Sequence, residues 1–538
     1  VGNWKVEVYL DSYYFNNTWV RYGPITTTPF IVGSEPVADW TFMVYLDADS
    51  NLEAAGIEIF LKMANVGSSS HVNIVVQMDR MPDYDSRYGN WTDCKRFYVT
   101  EGMTPTPENA NLHLGEANMG HPDTLKDFVN WTICHYPANY YCLVLWGHGT
   151  GFMGVCFDVT NATDFLSLPE LSQALSGLPA IMDVVFLDAC SMSMIEVAYQ
   201  IKDYANVLVG PEGLGYAPPP YDSYLSILTS TPSMSPSVFA SEVVISYMEW
   251  CKGPDVASKI HDAIMSATDL NKIMSLTATI DDFVLKLKEN EKFYNCLINV
   301  ARKQSDGYEG PYENDTGYYV DLYHFAQLTS QHLFDEELQN TANQVMTTLR
   351  SIIIIKADKA RPNSHGLSIY FPDEKKKYDS YGSVYEATTF AKNTPWDEFA
   401  KYYLEIQADG YVLTIETTYP YISVNVDNES YTTDANRTLG LFILPGSYTV
   451  NVATTVLTEP PCSRGVFAQW SDGGTSNPKN VDIINGDLTL RAQYVTQHYL
   501  TINTNPTGLT PQPHIAPQGP WYNENKQVKF TCLFSLYH

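Results

Sequence analysis

Two hydrophobic rhythms alternate along most of this chain, and one of them later disappears. From Trp40 onward, short unbroken apolar runs are separated by segments whose apolar residues recur every three or four positions. Unbroken runs bounded by turn residues predict buried strands, and the wider spacing predicts amphipathic helices. The strands predicted this way lie at 41–46, 71–78, 143–146, 183–187 and 206–209. Ser50 with Glu53 reads as a capping box, opening a helix to about Asn65 with Gly67 as its stop. Further helices are predicted over 124–134, after a second capping box of Ser167 and Glu170 with Pro169 in the first turn, and over 192–204. Strand and helix in this alternation imply a parallel sheet covered on both faces. Residues 236–350 are predicted mostly helical, with Ser-rich starts such as Ser235 and Ser237. Residues 352–355 and 367–371 return to strand, and 396–403 closes with a helix.

The pattern differs at both ends. Residues 4–10, 19–22 and 29–32 read as the last strands of a β-sandwich, with 33–36 a linker by composition. After about Gln407 the helical rhythm stops, and strict alternation rich in Thr, Asn, Pro and Gly takes over, as in 411–415 and 446–452. Residues 411–417 are echoed weakly by 499–504. With 538 residues the chain is too long for one core. The expected division is 1–36, the end of a β-sandwich; 37–406, an α/β domain; 407–497, a β-sandwich; and 498–538, the start of a further β repeat that breaks off.

Two of the apolar runs end in reactive side chains. Leu143-Val-Leu-Trp-Gly leads into His148 and Gly149, and Val184-Val-Phe-Leu-Asp-Ala leads into Cys190. Residues just past the carboxyl end of a parallel strand sit on the rim where open α/β sheets bind ligands. Cysteine beside histidine is the pairing that supplies a thiolate at neutral pH. A helix starting near Met192 would favour that thiolate through its amino end. Glycine beside His148 permits close approach of backbone to a substrate. The N–H groups of Gly149 and Cys190 are candidates to bind a developing oxyanion.

Composition narrows the partners. There are 61 acidic and 32 basic residues, for a formal net charge of −29. Nucleic acid is not expected as a partner, since phosphate binding needs a basic face. No apolar run reaches the length needed to span a bilayer. The chain opens at Val1 in a strand, so either a leader was removed or a longer protein precedes it. Nine cysteines fit one catalytic thiol with up to four disulfides, and no CxxC pair suggests zinc. Seven N-x-S/T sequons, abundant Tyr and scarce Lys point to an extracellular protein, secreted or attached to a cell surface.

In order along the chain stand Trp40-Thr-Phe-Met-Val-Tyr-Leu-Asp-Ala-Asp49, Trp146-Gly-His-Gly149, Asp188-Ala-Cys190 and Glu196-Val-Ala-Tyr199. Gly213 with Tyr221-Asp222, Tyr319-Val-Asp-Leu322, Gly366-Leu-Ser-Ile-Tyr-Phe-Pro372 and Thr394-Pro-Trp-Asp397 follow. As a set, over about 38–405, these motifs resemble the clostripain family of cysteine peptidases, in the clan of caspases, gingipains and legumains. The resemblance implies a caspase-like three-layer α/β sandwich with a mostly parallel sheet, here carrying C-terminal β-sandwich appendages and an N-terminal β fragment. It implies an endopeptidase cleaving after Arg or Lys, with Cys190 as nucleophile, His148 protonating the leaving amine, and no third residue required. Asp188 matches the acid that receives a basic P1 side chain in S1; the dull alternative is a cap for the next helix. Arg pairs well with a carboxylate. No organic cofactor is implied. Calcium stimulates some members, and Asp47, Asp49, Asp79 and Asp158 are the candidate ligands. Residues 149–189 contain neither Lys nor Arg, which excludes self-cleavage after a basic residue there. The expected partners are polypeptides with basic residues, and the β modules suit cell-surface association. The rival reading is a surface adhesin or assembly protein built on a peptidase-derived scaffold.

Overall fold

A computed structural model describes residues 37–289, 291–310, 316–332, 336–406, 411–427, 429–458, 463–484 and 486–499, with short backbone strands within 2–32 and 514–531. A nine-stranded sheet organises the α/β part. Its order is Ile353–Lys359, Ala263–Asp269, Ala205–Gly210, Met182–Asp188, Ala138–Trp146, Ala38–Ala48, Val72–Arg80, Cys94–Tyr98 and Leu112–Gly115. The five central strands are parallel, as the alternating pattern implies. Two antiparallel strands extend the sheet at each edge, so the whole sheet is mixed.

Period-two alternation sorts the central strands onto two faces. Met43, Tyr45, Leu143, Leu145, Val185 and Leu187 join one apolar cluster with the helices Pro122–His135, Leu168–Leu175, Ile195–Ile201 and Ile273–Glu289. Phe42, Val44, Val144, Trp146, Val184 and Phe186 join the other, beneath Glu53–Ala64, Tyr221–Ser230 and Pro236–Lys252. The result is the three-layer sandwich that the resemblance implies.

Local signals met mixed outcomes. Ser167 and Glu170 do form a reciprocal capping box. Ser50 and Glu53 do not, and the helix Glu53–Ala64 has no side-chain cap. Glu53 is drawn instead into a fully buried ion pair with Arg80 at 2.7 Å, and its other oxygen takes the Asp85 amide. A buried guanidinium needs that carboxylate more than a helix end does. The expected disulfides are also corrected. None of the six described cysteines is bridged. Cys94 and Cys156 face one apolar layer, Cys142 and Cys251 the other, so the sheet separates the pairs. Cys296, Cys462 and Cys532 lie outside the described side chains.

Toward the C-terminus two β-sheets enclose a third apolar cluster. Leu413, Ile415, Leu441 and Leu490 come from one sheet, and Val424, Val426, Val450 and Val481 from the other. Among the N-terminal strands, Gly2–Tyr9 pairs antiparallel with Pro24–Val32. The echo at 499–504 lies almost wholly outside the described residues, although Trp521–Asn523 pairs with the strand Leu488–Tyr499.

Candidate active site

The strands Ala138–Trp146 and Met182–Asp188 are immediate neighbours, parallel and in register, with Trp146 opposite Asp188. His148 and Cys190 each follow two residues after that last pair. Both therefore leave the same rim of the sheet, side by side, and both are partly accessible. Gly149 closes the gap. A Cβ there would lie 2.7 Å from the Ala189 Cβ and 2.8 Å from the Cys190 carbonyl oxygen. Only glycine lets the histidine arm lie against the Ala189–Cys190 peptide.

Each arm is held from behind. The Cys156 amide donates to the His148 carbonyl at 3.0 Å, and the Thr150 amide donates to the Gly154 carbonyl at 3.0 Å. The Tyr319 hydroxyl donates to the Thr150 carbonyl at 2.7 Å. On the other arm Ser191 has φ +60°, a left-handed conformation uncommon for a side-chain-bearing residue. It persists because the Ser191 amide donates to Gly213 O at 2.7 Å and the Ser193 amide to Pro211 O at 2.9 Å. The Cys190 sulfur accepts the Gly215 amide at 3.3 Å.

The helix expected from Met192 starts only at Ile195 and ends at Ile201. Dipole effects fade within a turn, so its amino end does not account for a thiolate at Cys190. The Gly215 amide does touch the sulfur, two residues past Gly213, which the family resemblance marks but to which the sequence assigns no role at the thiol. Asn51 was also passed over. Its Oδ1 lies 2.6 Å from His148 Nε2, a contact that orients the ring. The residues flanking it had read only as a helix start.

Asp188 ends its strand on the face occupied by Phe186 and is 5% exposed. It does not cap a helix; Tyr221 donates its hydroxyl to Oδ2 at 2.8 Å. The hydroxyls of Tyr224 and Tyr247 also feel its charge, and that of Tyr224 is buried with no hydrogen-bond partner among the described residues. Burial raises the Asp188 carboxyl to about 7, against which the Tyr221 bond works. Glu196, from another of the motifs, is structural in its contacts. Its Oε1 accepts the Tyr370 amide at 2.8 Å and the Tyr385 hydroxyl at 3.1 Å.

Behind the histidine arm lies an acidic cluster. Ligand atoms of Asp49, Glu116 and Asp158 fall within 4.8 Å of one another. Asp47 adds a fully buried carboxylate whose two oxygens have no hydrogen-bond partner among the described residues, and the charges of Asp158 and Asp49 act on it. Asp79 has one such oxygen. Burial raises Asp47 and Asp79, and raises Asp49 to about 6. The cluster adjoins the arm, since a Cβ on Gly147 would lie 3.1 Å from Asp47 Oδ2.

Known proteins match this architecture. Clostripain from Hathewaya histolytica is 25% identical over 405 residues, 63% of this chain and 76% of that protein. A secreted C11 cysteine protease from Bacteroides thetaiotaomicron, solved with an irreversible peptide inhibitor, superposes with a TM-score of 0.52 at 19% identity, covering 67% of this chain and 100% of that one. An inactive zymogen C11 protease from Parabacteroides distasonis gives a TM-score of 0.51 at 18% identity, covering 67% and 99%. These two likenesses speak to the fold. Residues 44–407 match the model of the clostripain family, and with two-thirds of its length inside that match the chain belongs to this family of cysteine endopeptidases.

Proposed function

We infer that this endopeptidase works through Cys190 and His148 and cuts after Arg or Lys held by Asp188. The observation that carries the reading is the register of the two neighbouring strands, whose ends deliver sulfur and imidazole to one rim. The Cys190 thiolate attacks the scissile carbonyl carbon. The amides of Gly149 and Cys190 receive the oxyanion. His148 Nδ1 gives its proton to the leaving amine, and the thioester forms. Water then attacks the thioester, His148 takes the water proton, and the acid leaves as the sulfur is restored. Asn51, accepting from Nε2–H, keeps the ring oriented through both steps.

Asp188 suits a cationic P1 residue because its buried carboxylate has no basic partner among its contacts, and a guanidinium or ammonium would supply the missing charge. An arginyl or lysyl chloromethyl ketone should therefore alkylate Cys190, identified by peptide mapping. Labelling at the exposed Cys134 instead, or no labelling of an enzyme active on other peptides, would reject the assignment.

The acidic cluster supports a second element. Several buried carboxylates without a cation repel one another, and all-oxygen donors of this kind suit a hard divalent ion. Asp49, Asp158 and Glu116, with Asp47 beside them, would hold calcium, whose charge would relieve that repulsion next to the His148 arm. Calcium is expected to raise the melting temperature of the chelated protein, and Asp49→Asn with Asp158→Asn to remove the effect. Identical melting curves with and without calcium would dismiss the site. The sequons and the acidic surface favour a location outside the cell, where the Bacteroides relative is described as secreted.

A further inference from the structure

Beyond strand Ala205–Gly210, residues 211–215 grip the Cys190 turn at three points. They are the Pro211 and Gly213 carbonyls and the Gly215 amide described above. Glu212 stands between the two carbonyls, and its side chain is fully buried. Oε2 accepts the Gly366 amide at 3.1 Å, whereas Oε1 is buried with no hydrogen-bond partner among the described residues. The preceding amide, of His365, goes to Asp321 Oδ2 at 2.5 Å. Consecutive amides of one segment thus hold two buried carboxyl groups, and the two face each other. Asp321 Oδ1 is already occupied by the His324 amide at 2.6 Å and His365 Nδ1 at 3.2 Å. The Gly366 carbonyl in turn accepts Ser193 Oγ at 2.8 Å and Ser266 Oγ at 2.6 Å. That closes a ring of contacts back to the Cys190 turn.

We propose that Glu212 is a positioning residue for Cys190: sharing one proton with Asp321, it locks 211–215 against the turn that presents the sulfur. The proposal rests on Cys190 being the nucleophile. Two carboxylates in contact inside a dry site cannot both ionise readily, so one proton stays between them. Burial first, and then Asp321, hold Glu212 well above the ordinary carboxylate range. The other groups around the pair include no Lys or Arg bound to either carboxyl group among the described residues. Tyr308 is a neutral hydroxyl whose interaction with Glu212 works against the shift, and the imidazole of His365 and the amide of His324 both go to Asp321 Oδ1. Arg361 sits over the Tyr308 ring and is paired with Asp262 at 2.6 Å and Asp306 at 3.2 Å. Losing the shared proton sets two buried anions against each other and loosens the segment that carries the Gly213 carbonyl and the Gly215 amide.

The test compares wild type, Glu212→Gln and Glu212→Ala between about pH 5 and about pH 10. It follows kcat/KM on a basic peptide and, in parallel, the rate of Cys190 alkylation by iodoacetamide. Glutamine keeps a donor and cannot ionise. Its kcat/KM near neutrality should stay within about threefold of wild type, while the reversible alkaline fall of wild type disappears. Alanine should lose roughly tenfold or more at every pH and lower the melting temperature. The proposal is overturned by an alkaline limb unchanged in Glu212→Gln, or by glutamine and alanine losing activity equally near neutrality. Alkylation reports on the turn without hydrolysis. Were Cys190 not the nucleophile, Cys190→Ala would still hydrolyse peptide, while the ratio of alkylation rates between Glu212→Gln and wild type would still change with pH.

Discussion

Cys190→Ala is expected to lower kcat/KM on every peptide by at least about 10⁴-fold, because no other group on that rim can form the thioester. Stability should change little. The side chain is only half-buried and alanine keeps the Cβ, so a shift of within about 1 kcal/mol is expected. A variant that melts like wild type and is inactive separates chemistry from folding. Peptide hydrolysis at wild-type rate by the folded Cys190→Ala protein would remove the sulfur from the mechanism altogether. The remaining described cysteines cannot substitute for it. Cys94, Cys142, Cys156 and Cys251 are buried, and burial pushes their thiols up, away from the thiolate. Cys134 is exposed, but it belongs to the last turn of Pro122–His135 rather than to the rim.

Asp188→Asn should remove cleavage after Arg and Lys by about 30-fold to several-thousand-fold in kcat/KM. That range follows from losing one member of a buried charge pair, about 2–5 kcal/mol. Cleavage after uncharged residues, if present at a basal level, should be unaffected. Two consequences distinguish this from a merely structural aspartate. The carboxyl is raised to about 7 by burial, so below that pH it is largely neutral and a poor partner for a cation. In wild type kcat/KM for basic peptides should climb about tenfold per pH unit toward pH 7 and then level off. The second consequence concerns stability. The folded carboxyl binds its proton more tightly than the unfolded one, whose value is 3.8, so stability is lost as pH rises from about 4 to about 7. Asp188→Asn removes that penalty and should melt higher than wild type at pH 8. A variant less stable at pH 8 and equally active on arginyl peptides would show the carboxylate to be structural.

That such a residue was recognisable from the chain at all depends on where each kind of information is stored. Buried strands of a parallel sheet are apolar on both faces, so their runs announce themselves. All five central strands were found, within a few residues of their ends. Of the four antiparallel strands that flank them, Ile353–Lys359 was found, through 352–355, and the other three were not. Cys94–Tyr98 carries Lys95 and Arg96, Leu112–Gly115 has four residues, and Ala263–Asp269 mixes Ser and Thr with its apolar positions within a stretch expected to be helical. Short or mixed strands carry no unbroken apolar run, so nothing local marks them as strand. The helix after Ser50 was found, but its capping box failed because a distant partner competed, Arg80 taking Glu53 across 27 residues.

The sequence alone determined the alternating architecture, the strand ends carrying His148 and Cys190, and the family. Each of these is written in residues close together along the chain. Only the tertiary structure decided that the two strands are neighbours in register, that Asn51 meets the histidine, and that the 211–215 segment rather than a helix end meets the sulfur. Strand order and register are choices made between segments separated by tens of residues. The free energy that settles them comes from packing and hydrogen bonds which no single stretch of sequence contains.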